Sequence, residues 1–149
     1  MSKEGSFRLI DELESSNIVD EEEFLDLIGL FKQESPIHGI GIFTKTKIRE
    51  NKLFYIIPLN DVRSTPSPKC AKIAEKMFVS DPKILNWVNH SCVPNSELVF
   101  QENKVFLRAK RDILPGEEIT VDYCETEEKN NLVFCNCGSS KCRNYFYYS

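Results

Sequence analysis

The chain has 149 residues, of which 41% are hydrophobic and 28% charged, with a net charge of −4. At roughly 100–200 residues per domain this is one domain, and the ordinary globular usage excludes a wholly disordered chain. No run approaches about 18 consecutive apolar residues, which argues against a membrane-spanning helix, and the acidic balance argues against direct nucleic-acid binding.

Charge is uneven along the chain: residues 1–30 hold nine acids and only two bases. Such a run reads as a solvated lead-in, or as an arm that attracts a basic partner. The opening residues lack the apolar core of a secretory signal. The six cysteines (Cys70, Cys92, Cys124, Cys135, Cys137 and Cys142) therefore read as reduced thiols of an intracellular protein rather than as three disulfides.

Residues 1–20 carry only weak helical patterning. Asp20 and Glu23 have capping-box spacing, which predicts a short helix near 20–26. Gly29 argues against a longer helix, so residues 27–33 read as a strand. Ser35-Pro36 and the bend His38-Gly39-Ile40-Gly41 precede a strand that begins at Ile42-Phe43. Asn51 sits where a turn wants positive φ, and Leu53–Leu59 reads as a buried strand.

Ser67-Pro68 then predicts a helix start, with Cys70, Ile73, Ala74, Met77 and Phe78 at helical spacing. Asp81-Pro82 repeats the signal for a shorter turn through Trp87. Glu97–Gln101 and Lys104–Ala109 read as a hairpin around Glu102-Asn103. Pro115-Gly116 turns into a short strand over Ile119–Tyr123, and Glu125–Asn131 reads as a polar linker. The expected fold is mainly β with short helices and irregular connections.

Four segments carry candidate chemistry. Cys135, Cys137 and Cys142 form a C-x-C-x4-C cluster. Structural zinc takes four tetrahedral ligands, so a fourth donor must come from elsewhere. Cys92 and His90 are the donors of interest, with Cys70 and Cys124 as competitors. The plain alternative is a set of ordinary buried thiols. Asn89–Asn95 reads as a polar loop, and a Cys/His hydrolase there would have only His38 and His90 as bases. Gly39-Ile40-Gly41 lacks the third glycine of a dinucleotide fingerprint, yet its glycines let backbone approach a ligand closely. Tyr123, taken alone, reads as a packed aromatic with a satisfied hydroxyl.

Taken together, the order and spacing are specific. Ser-Pro-x-His-Gly-Ile-Gly-Ile-Phe (35–43), Asn-His-Ser-Cys-x-Pro-Asn (89–95), Gly-Glu-Glu-Ile-Thr-x-Asp-Tyr (116–123) and Cys-x-Cys-x4-Cys-Arg (135–143) follow one another. The sequence resembles the SET-domain protein lysine methyltransferases that carry a post-SET zinc motif, over about residues 27–147. That resemblance implies small curved sheets around a knot-like crossing. It divides the chain into an acidic extension (1–26), a SET domain (27–124) and a linker with the post-SET zinc segment (125–149).

The resemblance also implies S-adenosyl-L-methionine as cofactor, held around Gly39, Ile40, Gly41, Asn89 and His90, with Phe134 and Asn136 as candidate walls. Tyr123 aligns with the catalytic tyrosine. Cys92 aligns with the fourth ligand of one structural zinc, beside Cys135, Cys137 and Cys142. The implied substrate is a lysine of a protein or peptide, a basic histone tail being a frequent family target, with no nucleic-acid or membrane partner. The compartment would be the nucleus for a histone substrate and otherwise the cytoplasm. The alternative is a catalytically inactive SET-like module that holds a peptide.

Two departures stand out: Val121 occupies a position where many relatives carry Phe or Tyr, and Asn86-Trp87 stands where Arg-Phe is usual.

Overall fold

The computed structural model describes residues 21–65, 70–123, 131–135, 137–143 and 145–148, with the side chains of residues 21, 131–134 and 145–148 left aside. The acidic lead over residues 1–20, Ser67-Pro68, Cys124, the polar linker up to residue 130 and Asn136 lie outside them.

Helix α1 (Glu21–Leu27) is short, as expected, and turns Phe24 and Leu25 into the core. Gly29 ends this turn at φ +77°, a left-handed conformation that suits glycine. Strand β1 (Leu30–Glu34) follows and pairs antiparallel with β2 (Ile40–Thr44). Strand β3 (Leu53–Ile56) is shorter than the apolar run predicts, because the chain leaves the ladder ahead of Pro58. Even so, Ile57 stays buried and its amide still donates to the Val105 carbonyl at 2.8 Å.

Strands β4 (Val62–Arg63), β5 (Ala71–Ala74) and β6 (Met77–Val79) form a small sheet of order β4-β6-β5. This corrects the helix expected after Ser67. The chain reverses at Lys76, whose φ is +56°, and Val79 then pairs with both Val62 and Ala71. Strands on both sides of β6 supply the hydrogen bonds that a helix would have made locally. Tertiary pairing outweighs a spacing that fits either period.

A 3-10 turn (Leu85–Trp87) leads to β7 (Asn89–His90). Strands β8 (Ser96–Gln101) and β9 (Lys104–Ala109) make the expected hairpin, with Glu102 at φ +53° and Asn103 at φ +62°. Positive φ at both loop residues matches the right-handed twist of the flanking strands. Strand β9 is central in the order β3-β9-β8 and buries Val105, Phe106, Leu107 and Ala109. Strand β10 (Thr120–Val121) pairs in parallel with β7, and β11 (Asn131–Phe134) pairs with β12 (Tyr145–Tyr148). Among the described residues no helix is long and apolar enough to cross a membrane.

The core joins α1, β2, β3, β9 and the approaches to β7 and β10 through Phe24, Ile42, Tyr55, Val88, Leu107 and Ile119. One polar pair is buried inside it. The Tyr55 hydroxyl donates to Asp81 Oδ2 at 2.8 Å, while the Leu85 and Lys83 amides donate to the same carboxylate. Burial pushes the Asp81 carboxyl above its usual range, against the pull of these donors.

A Tyr55→Phe variant is expected to lose about 1–3 kcal/mol, the cost of leaving a buried acceptor short of a donor. Removing a donor from the ionised form raises the folded-state pKa further. The unfolded state then binds fewer protons than the folded state over a wider range, so the penalty is larger at neutral pH and shrinks as pH falls. Denaturant melts of both proteins across pH test this.

Candidate active site and metal centre

The glycine bend is closed by Ser35. Its amide donates to the Gly39 carbonyl at 2.8 Å, and its hydroxyl accepts from the Ile37 amide at 3.0 Å. Gly39, at φ +47°, and Ile40 are exposed on the outside of the bend. Gly41 is buried and serves another need: a Cβ there would lie 2.9 Å from the carboxyl carbon of Glu118 and 3.1 Å from Asn89 Nδ2. What this glycine accommodates is the close approach of two polar side chains, which a Cβ would force to shift.

The polar block 89–95 crosses the chain before Tyr123. Strands β7 and β10 pair Asn89 with Thr120 and His90 with Val121, and the Ser91 amide donates to the Val121 carbonyl at 3.0 Å. Asn95 then acts as a side-chain strand. Its Nδ2 donates to the Glu118 carbonyl at 2.8 Å, its Oδ1 accepts from the Thr120 amide at 3.0 Å, and its own amide donates to Thr120 Oγ1 at 3.2 Å. Buried backbone polar groups need partners, and a two-residue ladder cannot supply them all. The density of polar residues in this block follows from that demand.

Asn89 and His90 are buried at the crossing, at 6% and 1% exposure. The Tyr123 amide donates to His90 Nδ1 at 3.0 Å, so the ring hydrogen belongs on Nε2, which faces Cys92 Sγ at 3.4 Å. Burial lowers the His90 pKa to about 4, with nearby Asp122 opposing and Arg143 assisting, so the ring is neutral at physiological pH. Asp122 pairs instead with Arg143 at 2.7 Å. Half-buried Tyr123 donates its hydroxyl to the Val88 carbonyl at 2.6 Å, and its ring lies 5.5 Å from that of His90.

The four predicted ligands come together. The sulfurs of Cys92, Cys135, Cys137 and Cys142 all lie within 4.8 Å of one another. Tetrahedral zinc–thiolate bonds of about 2.3 Å set sulfurs about 3.8 Å apart, and Cys92 and Cys135 stand at 3.8 Å. The donor set fits one structural zinc. Arg143 adds a further tie, donating its amide to Cys92 Sγ at 3.3 Å. Cys70 is buried and lies outside this group.

The departures have structural uses. The Asn86 side chain accepts from the Asp81 amide at 3.1 Å and donates to Ser80 Oγ at 3.2 Å. Trp87 donates its indole N–H to the Pro82 carbonyl at 2.8 Å, and Lys32 Nζ sits 4.3 Å from the ring centroid. Both residues thus brace the Asp81 turn. Val121 is buried in the core at 2% exposure. Phe134 pairs through its backbone with Tyr145, while Asn136 lies outside the described residues. A separate groove of about 790 Å³ runs between α1 and β1, lined by Glu22, Leu25, Asp26, Phe31, Lys32 and Lys45 among others, and contains none of the predicted site residues.

Glu118, Asp122 and Arg143 are the site residues that the sequence reading does not single out, although each stands within a quoted motif. Glu117 and Glu118 are indistinguishable by type. Alternation along an extended segment sends them to opposite faces. Glu117 pairs with Arg111 at 3.0 Å, while Glu118 reaches Asn89.

Comparison with known proteins agrees with this architecture. The solved structure of KRYPTONITE in complex with mCHH DNA, H3(1-15) peptide and SAH superposes with a TM-score of 0.63 at 23% identity, over 79% of this chain and 29% of that one. The methyltransferase domain of human histone-lysine N-methyltransferase SETMAR gives a TM-score of 0.60 at 18% identity, covering 80% of this chain and 58% of that one. These likenesses establish the fold around the crossing. The SET domain family model matches residues 39–124, and the chain belongs to that family.

Among curated relatives, human histone-lysine N-methyltransferase 2B is 30% identical over 80% of this chain. The Schizosaccharomyces pombe histone-lysine N-methyltransferase described as H3 lysine-4 specific is 28% identical over 97%. The chain spans only 5% and 19% of their respective lengths.

Proposed function

We propose that this chain is an S-adenosylmethionine-dependent protein lysine methyltransferase that acts on a histone tail in the nucleus. The observation that carries the reading is the crossing itself: one short parallel ladder holds Asn89, His90 and Tyr123 together and ties them to the four-cysteine centre. The names of the relatives and the H3 peptide held by one structural neighbour support a histone substrate. The acidic residues 1–30 suit a basic partner.

S-adenosylmethionine supplies a methyl group on a sulfonium, and transfer to a neutral amine leaves a thioether and a methylated ammonium. This chain's part is to orient, desolvate and exclude water. The exposed face of the Gly39–Gly41 bend offers backbone to the cofactor, and buried Asn89 offers its side chain. The Tyr123 hydroxyl donates to the Val88 carbonyl, which fixes the phenol oxygen beside Asn89. An apolar channel lowers a lysine pKa and favours the neutral nucleophile. Holding both reactants in line supplies much of the rate. Zinc would join Cys92 on the crossing to the tail, giving the cofactor cleft its second wall.

Incubating the zinc-loaded chain with S-adenosylmethionine and histone tail peptides is expected to add methyl groups to lysine, read by mass spectrometry. Absence of cofactor binding by calorimetry would overturn the cofactor site. Cofactor binding without transfer to any histone tail would overturn the histone substrate.

A further inference from the structure

The carboxylate of Glu118 is packed into the heart of the glycine bend, against Ser35 and Asn89. It lies where the side chain of Gly41 would have been. Its two oxygens accept from Ser35 Oγ at 2.7 and 2.8 Å, and Oε2 also accepts from Asn89 Nδ2 at 2.8 Å. The same Asn89 Nδ2 donates to the His38 carbonyl at 2.9 Å. Both amide hydrogens of Asn89 are therefore committed. The flipped amide would set Oδ1 against a carbonyl and a carboxylate, two acceptors, so only one orientation is satisfied.

Two consequences follow from this arrangement. Asn89 Oδ1 is the atom left to meet a ligand, and among the described residues no donor reaches it. A residue only 6% exposed thus keeps an acceptor in reserve. In addition, Glu118 is half-buried, and among the described residues it forms no ion pair with a lysine or arginine. Its neighbour Glu117, by contrast, is matched to Arg111. An acceptor and a carboxylate without a cationic partner among the described residues, side by side, favour a cationic N–H donor.

We propose that Glu118 is a positioning residue of the cofactor site: it locks the Asn89 amide with Oδ1 toward the ligand and makes the cleft selective for a ligand that carries an ammonium group. This rests on the cofactor reading above. The amino-acid end of S-adenosylmethionine or S-adenosylhomocysteine is such a group, whereas 5′-methylthioadenosine shares the nucleoside and thioether but has no ammonium.

The test is calorimetry of both ligands on the zinc-loaded full chain, with zinc content and melting temperature checked for each variant. In Glu118→Ala, S-adenosylhomocysteine affinity is expected to fall about 10- to 100-fold, the effect of losing a hydrogen-bond network that includes a charged group. Binding of 5′-methylthioadenosine is expected to change by less than about twofold, because the variant leaves its contacts in place. Glu118→Gln keeps an acceptor for Asn89 but removes the charge, and its loss on S-adenosylhomocysteine should be smaller, about threefold to tenfold.

Equal losses on the two ligands would make Glu118 a purely structural residue and overturn the proposal, as would unchanged S-adenosylhomocysteine affinity. If Glu118→Ala does not fold, Glu118→Gln decides: an unaltered ratio of the two affinities overturns it. Failure of the wild type to bind S-adenosylhomocysteine would instead overturn the cofactor site, and this inference with it.

Discussion

Removal of zinc is expected to abolish cofactor binding while leaving the β core folded. The four sulfurs join two parts of the chain that share little else among the described residues. Cys92 belongs to the buried crossing, whereas Cys135, Cys137 and Cys142 lie on a segment whose described residues are exposed or half-buried. Among the described residues the core draws on side chains from Phe24 to Val121. Zinc binding on the order of 10–16 kcal/mol is available to hold the cysteine segment against the crossing. Arg143, which reaches both Cys92 and Asp122, would be lost from the crossing with it.

Chelation with verified loss of zinc should weaken S-adenosylhomocysteine more than about 100-fold and leave the cooperative melt of the core in place, with recovery on adding zinc back. Cys92→Ser should behave like the chelated protein. Cys70→Ser removes a buried thiol outside the cluster and should retain one zinc per chain. Undiminished cofactor binding after the zinc is gone would break the link between tail and cleft.

The parts of the fold that sequence makes legible are those with a local cause. The Glu102-Asn103 hairpin declares itself through a residue type that tolerates positive φ between two apolar-rich runs. The stop at Gly29 and the turn at Gly116 do so for the same reason. The stretch after Ser67 misleads because Cys70, Ala74 and Phe78 satisfy a helical spacing, while the decisive fact is that β6 has neighbours on both sides. Nothing local encodes that.

The crossing is less legible still. Its ladder is two residues long, joins segments about 30 residues apart and runs parallel. Motif resemblance brings Asn89, His90, Tyr123 and Cys92 to one place without explaining why they meet. The structure gives the cause: Asn95 and Thr120 exchange the hydrogen bonds that the ladder lacks. Glu118 shows the limit from the other side. Its function depends on which of two adjacent glutamates faces inward, and on the absence of a side chain at Gly41, 77 positions earlier in the chain.

Tyr123→Phe is expected to lower turnover about 100-fold or more with little effect on cofactor affinity. The hydroxyl it removes donates to the carbonyl of Val88, a residue 1% exposed that immediately precedes Asn89. The tyrosine oxygen is thereby fixed relative to strand β7, and losing such a positioning contact costs about 100-fold when reactants shift by 1 Å. Stability should fall by only about 0.5–1.5 kcal/mol, one ordinary hydrogen bond. The core variant Tyr55→Phe supplies the contrast. It removes a hydroxyl of the same kind from a buried carboxylate, so it should lower stability more and leave the turnover of the folded fraction intact. Single-turnover rates and S-adenosylhomocysteine titrations on both variants separate the two roles. Equal turnover losses would mean that loosening the fold, not loss of the Tyr123 hydroxyl, governs the rate.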